Sequence, residues 1–200
     1  MEKLCKTLFL GAVTLVLCTC CARKPKVKGP VQPKPQLEKK EIIPLSPPAP
    51  AEWLYEKGAI RLHLKADPQL NLYQGTAYTL SLCIYQLSSP NAFQELMENE
   101  EGLGRLLECS RFDASVASYR NIVIQPKQEL TESLDRAEGA RYVAVVAGYY
   151  MLRKEQVTCL LPVPVVEETV DASGAKRLKP GPLSVDLFLG PHGIQETGGK

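Results

Sequence analysis

Tyr78-Thr79-Leu80-Ser81-Leu82-Cys83-Ile84-Tyr85-Gln86-Leu87 is the stretch whose reading decides the fold. In an extended chain Leu80, Leu82 and Ile84 fall on one face, and Cys83, Tyr85 and Leu87 on the other. Apolar side chains on both faces need cover on both sides, which is the situation of a central strand. Upstream, Ile60, Leu62 and Leu64 alternate with Arg61, His63 and Lys65, the pattern of a half-buried strand. Downstream, Tyr142 to Leu152 is the strongest strand, with Val143, Val145 and Val146 in its core. Ser118 to Gln125 (ended by Pro126), Glu129 to Leu134, Gln156 to Val166 and Leu183 to Leu189 read as further strands, with Pro162 and Pro164 marking an edge. Asp135 to Ala140 reads as a turn and Asp171 to Gly181 as a loop.

After Leu87 the period changes. Ser89 suits an N-cap and Pro90 the first helical position. Phe93, Leu96 and Met97 follow at helical spacing, and Leu103, Leu106 and Leu107 mark a second short piece, with Gly102 and Gly104 breaking the two apart. The expected fold is mainly β, an antiparallel β-sandwich of about seven strands with a short helical insertion.

The chain has 200 residues, 44% apolar and 23% charged. These proportions exclude a wholly disordered chain, a collagen-like repeat and a multi-pass membrane protein. Eight of the 16 prolines lie between Pro25 and Pro50. Residues 22–50 carry a net charge of +5, residues 51–200 a net of −4. A basic arm thus precedes a mildly acidic domain, which argues against nucleic acid as a partner of the folded part.

The first twenty residues read as an export signal. Lys3 and Lys6 give a positive start, and Leu8 to Leu17 is an uncharged apolar run too short to span a bilayer. Leu17-Cys18-Thr19-Cys20 then resembles a bacterial lipobox, with Cys20 as the lipidated residue and Cys21 as the alternative. Diacylglycerol on the thiol and an acyl chain on the new amino group would hold the chain on a membrane. The residue after the lipidated Cys is not Asp, which by resemblance to bacterial lipoproteins permits sorting to the outer membrane. The expected division is 1–19 signal peptide, 20–50 lipidated Cys and Pro/Lys-rich tether, and 51–200 β-sandwich domain. Fully extended, the tether reaches ~90 Å; as a flexible coil, ~30 Å.

No chemistry of catalysis is legible. His63 and His192 are the only histidines, with no ligand spacing near either, so no metal or other cofactor is expected. No G-x-S-x-G elbow, P-loop or dinucleotide fingerprint is present. His63 alternates outward, as an exposed strand histidine. Glu98, Glu100 and Glu101 read as a solvated helix face, or alternatively as a charged docking surface. Beyond the lipobox, Cys83, Cys109 and Cys159 allow at most one bridge among themselves. Buried free thiols are the default expectation, and a Cys83–Cys109 bridge is the alternative.

Several stretches resemble the TssJ family of type VI secretion lipoproteins. Leu64-Lys65-Ala66-Asp67-Pro68-Gln69-Leu70-Asn71 is similar to the family's first strand running into its loop. Leu82-Cys83-Ile84-Tyr85-Gln86-Leu87 resembles its Tyr-Gln-Leu strand, Asn91-Ala92-Phe93 with Leu96 its helix, and Tyr142 to Tyr150 its central Val-Ala strand. Val123-Ile124-Gln125-Pro126 matches a segment where the family usually shows Pro-Gly; here Lys127 replaces the Gly. The resemblance covers roughly Ala59 to Leu161.

It implies a transthyretin-like sandwich and a structural, non-enzymatic role. Such a protein sits lipid-anchored at the periplasmic face of the outer membrane. It binds the periplasmic C-terminal part of inner-membrane TssM and, through that complex, meets TssL. By carry-over, the contact lies in the loop between the first two strands: Asp67, Pro68, Gln69, Leu70, Asn71, Leu72, Tyr73 and Gln74. On the residues alone, Leu70, Leu72 and Tyr73 either fold back onto the sandwich or meet a partner. The expectation is that Leu70→Asp with Tyr73→Ala weakens TssM binding without unfolding the domain. A small-ligand carrier of transthyretin-like fold is the competing expectation.

Overall fold

The computed structural model describes residues 51–170 and 174–199. The signal, Cys20, Cys21 and the tether lie outside the described residues. Among the described residues ten strands and three short helices follow one another, and eight of the strands form two facing four-stranded sheets.

The first sheet has the order β10 (Ile194–Gly199), β9 (Leu183–Leu189), β1 (Glu56–Ala66), β4 (Glu129–Arg136). The second has the order β3 (Val116–Ile124), β2 (Leu80–Leu87), β5 (Tyr142–Ala147), β6 (Thr158–Pro162). A separate ribbon joins β7 (Val165–Thr169) to β8 (Lys176–Pro180). The β-sandwich is as expected, with three differences. The expected loop Asp171 to Gly181 contains β8, whose alternating charges hid a strand that buries little. A tenth strand follows Leu189. β1 and β9 run parallel, Ile60 opposite Leu183, so the first sheet is mixed rather than purely antiparallel.

The core follows from the alternation. Ile60, Leu62 and Leu64 of β1 point inward with Val185 and Leu187 of β9, and Leu82 and Ile84 of β2 meet them from the second sheet. Gln86, also inward, is buried but satisfied: its amide donates to Asp135 O at 2.8 Å and accepts from Ala137 N at 2.7 Å, tying the sheets together. The other face of β2 carries Cys83 and Tyr85. It is covered by α1 (Asn91–Leu96) and α2 (Glu100–Leu107), which explains the two-faced pattern. Tyr85 OH donates to Leu106 O at 2.7 Å, and Cys83 is bridged to Cys109 just past α2. The expected free thiols are therefore corrected for this pair. The central strand and the insertion bring the two Cα atoms to 5.5 Å, a proximity that sequence separation does not reveal.

Two helix boundaries differ from expectation. Pro90 is the N-cap of α1 rather than its first residue. Gly102 and Gly104 lie inside α2, not between the helices; the break is made by Asn99, whose side chain accepts from Gly102 N at 2.8 Å. Gly102 serves close approach, because a Cβ there would lie 1.9 Å from Leu96 O. The strand expected from Tyr142 to Leu152 stops at Ala147. That expected from Gln156 to Val166 splits into α3 (Lys154–Val157), the edge strand β6 and β7.

Candidate functional site

The connection from β1 to β2 closes one end of the sandwich. Asp67 N donates to Leu189 O at 2.9 Å, and the Asp67 carboxylate accepts from Gln69 N at 2.7 Å, turning the chain through Pro68. Leu70 is 0% exposed and belongs to the core. Asn71 is also buried, at φ +49°, and its side chain makes two bonds: Nδ2 donates to Thr79 O at 3.1 Å, and Oδ1 accepts from Tyr150 N at 3.0 Å. Leu72 N donates to Pro191 O at 2.8 Å. Gln74 and Gly75, both at positive φ, form a two-residue turn between Tyr73 and Thr76, whose N–H and C=O groups exchange bonds at 2.9 Å.

The loop folds back onto the sandwich only in part. Leu70 and Asn71 fold inward, while Tyr73 stands out, 41% exposed. Tyr73 stacks on Tyr150 with ring centroids 4.2 Å apart and planes 8° from parallel, and Tyr78 meets Tyr150 edge-on at 5.3 Å. Tyr150 is 54% exposed and Met151 beside it 53%. Under the rings a cavity of about 80 Å³ is lined by Leu72, Tyr73, Tyr149, Tyr150, Met151 and His192 among others. Burial pushes the Tyr149 phenol far above its usual range, so it stays a neutral hydroxyl. Its oxygen has no hydrogen-bond partner among the described residues.

The sequence pattern assigns Tyr73 to this loop, whereas Tyr78, Tyr150 and Met151 fall in stretches patterned as strands. The missed signal is Gly148 after the Val-Ala run. Its N–H makes the last in-register bond of the β2–β5 ladder, to Ser81 O at 2.9 Å; the chain then turns, with Tyr149 N donating back to Ala147 O at 3.0 Å, and presents Tyr150. Lys127 adopts φ +67°, a conformation Gly takes without strain, and its N–H donates to Asp67 O at 3.3 Å.

Elsewhere, His63 points outward as expected but between two carboxylates. Nδ1 lies 3.0 Å from Asp186 Oδ1 and Nε2 2.9 Å from Glu129 Oε1. The bonds to Glu129 and then Asp186 raise its pKa above the ordinary imidazole value. Among the described residues no three His, Cys, Asp or Glu side chains are placed to hold a metal ion.

In comparison with known families, the model for type VI secretion lipoproteins (T6SS-SciN, with VasD, EvfM and TssJ) matches residues 58–179. The chain belongs to this family. Its match runs past Leu161 through the β7–β8 ribbon. The family is one of structural lipoproteins of the secretion system. The T6SS lipoprotein TssJ1 from Pseudomonas aeruginosa is similar at 21% identity and TM-score 0.52, over 77% of this chain and 98% of that one. Serratia marcescens Lip, described as a membrane-bound component of the type VI secretion system, is similar at 20% identity and TM-score 0.51, over 70% and 95%. A chain in a structure described as the TssM C-terminal domain from EAEC matches at 13% identity and TM-score 0.52, over 70% and 97%. These likenesses establish a shared fold. No curated protein matches the chain in sequence.

Proposed function

We propose that the aromatic end of the sandwich is the docking surface for the periplasmic C-terminal region of a TssM-like inner-membrane protein. The observation that carries this reading is the Tyr73–Tyr150–Tyr78 cluster with Met151. Three rigid aromatic side chains, each with a polar tip and all on one exposed patch, are the residue type that supplies interface hot spots. Of the loop residues carried over by resemblance, Tyr73 and Gln74 are placed for contact, Asp67, Pro68 and Gln69 shape the approach, and Leu70 and Asn71 hold the surface from beneath. TssL is met through TssM.

The chain is lipidated at Cys20, or alternatively Cys21, and leashed by residues 20–50 to the periplasmic face of the outer membrane. It acts as an assembly component, not an enzyme, with covalent lipid in place of any cofactor. A carrier role fits less well, because leucines and isoleucines at 0–1% exposure fill the space between the sheets.

Titration calorimetry of residues 51–200 against the C-terminal region of the cognate TssM tests this. Saturable binding is expected, weakened about 10–100-fold in Tyr73→Ala with Tyr150→Ala. Equal affinity in that variant would refute the assignment.

A further inference from the structure

Exposed apolar side chains are unevenly spread over the described surface. Of the eleven large ones, Tyr73, Tyr78, Tyr150 and Met151 form the aromatic end, and Tyr119 and Val123 lie on the edge strand β3. The other five are Leu54, Tyr55, Val165, Val166 and Val170. Topology gathers these at the opposite end. Leu54 and Tyr55 precede β1, while the ribbon returns through Pro180 into β9, which starts level with the start of β1. The leading segment and the ribbon share a cavity of about 170 Å³ lined by Leu54, Tyr55, Arg136, Arg177 and Leu178 among others. The eleven residues of β1, at about 3.3 Å each, separate the two ends by roughly 35 Å.

The segment is fixed, not dangling. Gly139 N donates to Trp53 O at 2.7 Å, and the Arg141 guanidinium lies 5.6 Å over the Trp53 ring. Buried Arg136 donates to Leu54 O at 3.2 Å and pairs with Glu56 at 2.8 Å. Tyr55 OH donates to Asp135. The ribbon base is closed by Gly181 N donating to Pro164 O at 2.7 Å. Leu54 and Tyr55 are thus held outward by the fold.

Most charges at this end are paired, Lys176 with Glu167, Arg177 and Lys179 both with Glu168, Arg136 with Glu56, while Glu52, Lys57 and Glu138 stand exposed beside them. Among these charges stand the half-buried Trp53 and the exposed Leu54, Tyr55 and ribbon valines, aromatic and aliphatic side chains that suit the boundary between water and lipid. Val166 and Val170 share one face of the ribbon and Val165 takes the other. A fluid headgroup layer can cover both faces of a two-stranded ribbon, whereas one rigid protein surface covers one. Ala51, where the described residues begin, lies two positions before Trp53 at this same end.

We propose that this end rests in the headgroup layer of the phospholipid bilayer, seated by Leu54, Tyr55 and the ribbon valines. The proposal rests on the lipid-anchor reading and deepens it. The domain is docked upright on the membrane, with its aromatic end turned away toward the partner, rather than held off at the tether's full reach. The contact is apolar, so it resists salt.

Trp53, the single tryptophan, reports on it directly. The lipidated full chain is reconstituted in phosphatidylethanolamine–phosphatidylglycerol vesicles and floated on a density gradient. Trp53 emission is then read with acyl chains brominated near the headgroup. The expected result is a blue shift and quenching by roughly half, unchanged in ~0.5 M salt. Leu54→Ser with Val166→Ser should float equally yet lose most of the quenching; Val170→Ser serves if the double variant does not fold. A chain that floats with Trp53 unquenched overturns the proposal and leaves the anchor standing. So does quenching that persists undiminished in the variants, or that salt removes. A chain that does not float refutes the anchor, and the proposal falls with it.

Discussion

Leu70 shows how one side chain decides between two readings. It sits in a loop beside Leu72 and Tyr73, and composition cannot tell an apolar loop residue that is buried from one awaiting a partner. The structure buries it completely, so Leu70→Asp places a carboxylate in the core. That change is expected to cost about 3–5 kcal/mol and to unfold the domain in thermal melts. The expected combination of Leu70→Asp with Tyr73→Ala as a clean binding probe is corrected accordingly; Tyr73→Ala with Tyr150→Ala replaces it. Lys127 is legible from the resemblance, where Gly is usual, and its φ of +67° gives the physical reason. Lys127→Gly is expected to raise the melting temperature, by up to about 1 kcal/mol of stability.

His63 titrates in a setting that alternation alone could not reveal, since Glu129 and Asp186 arrive from neighbouring strands. Arg61 and Lys65 of β1, Thr131 of β4 and Phe188 of β9 share its face. With its folded pKa raised, the imidazolium contributes stability that is full below the unfolded pKa and is lost as pH rises through the folded value. His63→Gln should therefore melt below the parent at about pH 5.5 and approach it by about pH 8.5. An imidazole resonance titrating at or below the ordinary value would contradict this.

At the scale of elements, strands with a buried face were the most legible. β1, β2, β5 and β9 each announce themselves by alternation or by a continuous apolar run. β8 did not, because a two-stranded ribbon covers no core and its sequence is free to be charged. The helices were visible by period, but their junction was not. Gly102 reads as a breaker until Asn99 is seen capping α2 and Leu96 O is seen where a Cβ would go. The bridge between Cys83 and Cys109 pins this insertion to the central strand across 26 residues. Cys83→Ser with Cys109→Ser should lower stability by about 3 kcal/mol, read in denaturant melts. An unchanged midpoint would mean that packing of Phe93, Leu103 and Leu106 alone holds the insertion.

The sandwich has two ends, and each carries exposed aromatic and aliphatic side chains held in place by the fold. The sequence could not show this polarity, because Tyr73 and Tyr150 are 77 positions apart in the chain, and Leu54 and Val166 are 112 apart. Only the closure of the sheets brings each pair to one end. The proposed partner surface and the proposed membrane surface are then separated by the length of β1. Amide hydrogen exchange of the domain, alone and saturated with the TssM C-terminal region, tests this most directly. Protection is expected across residues 70–78 and 148–152, with residues 53–58 and 165–179 unchanged. Protection at the Leu54 and ribbon end instead, with the tyrosine cluster still exchanging freely, would contradict it.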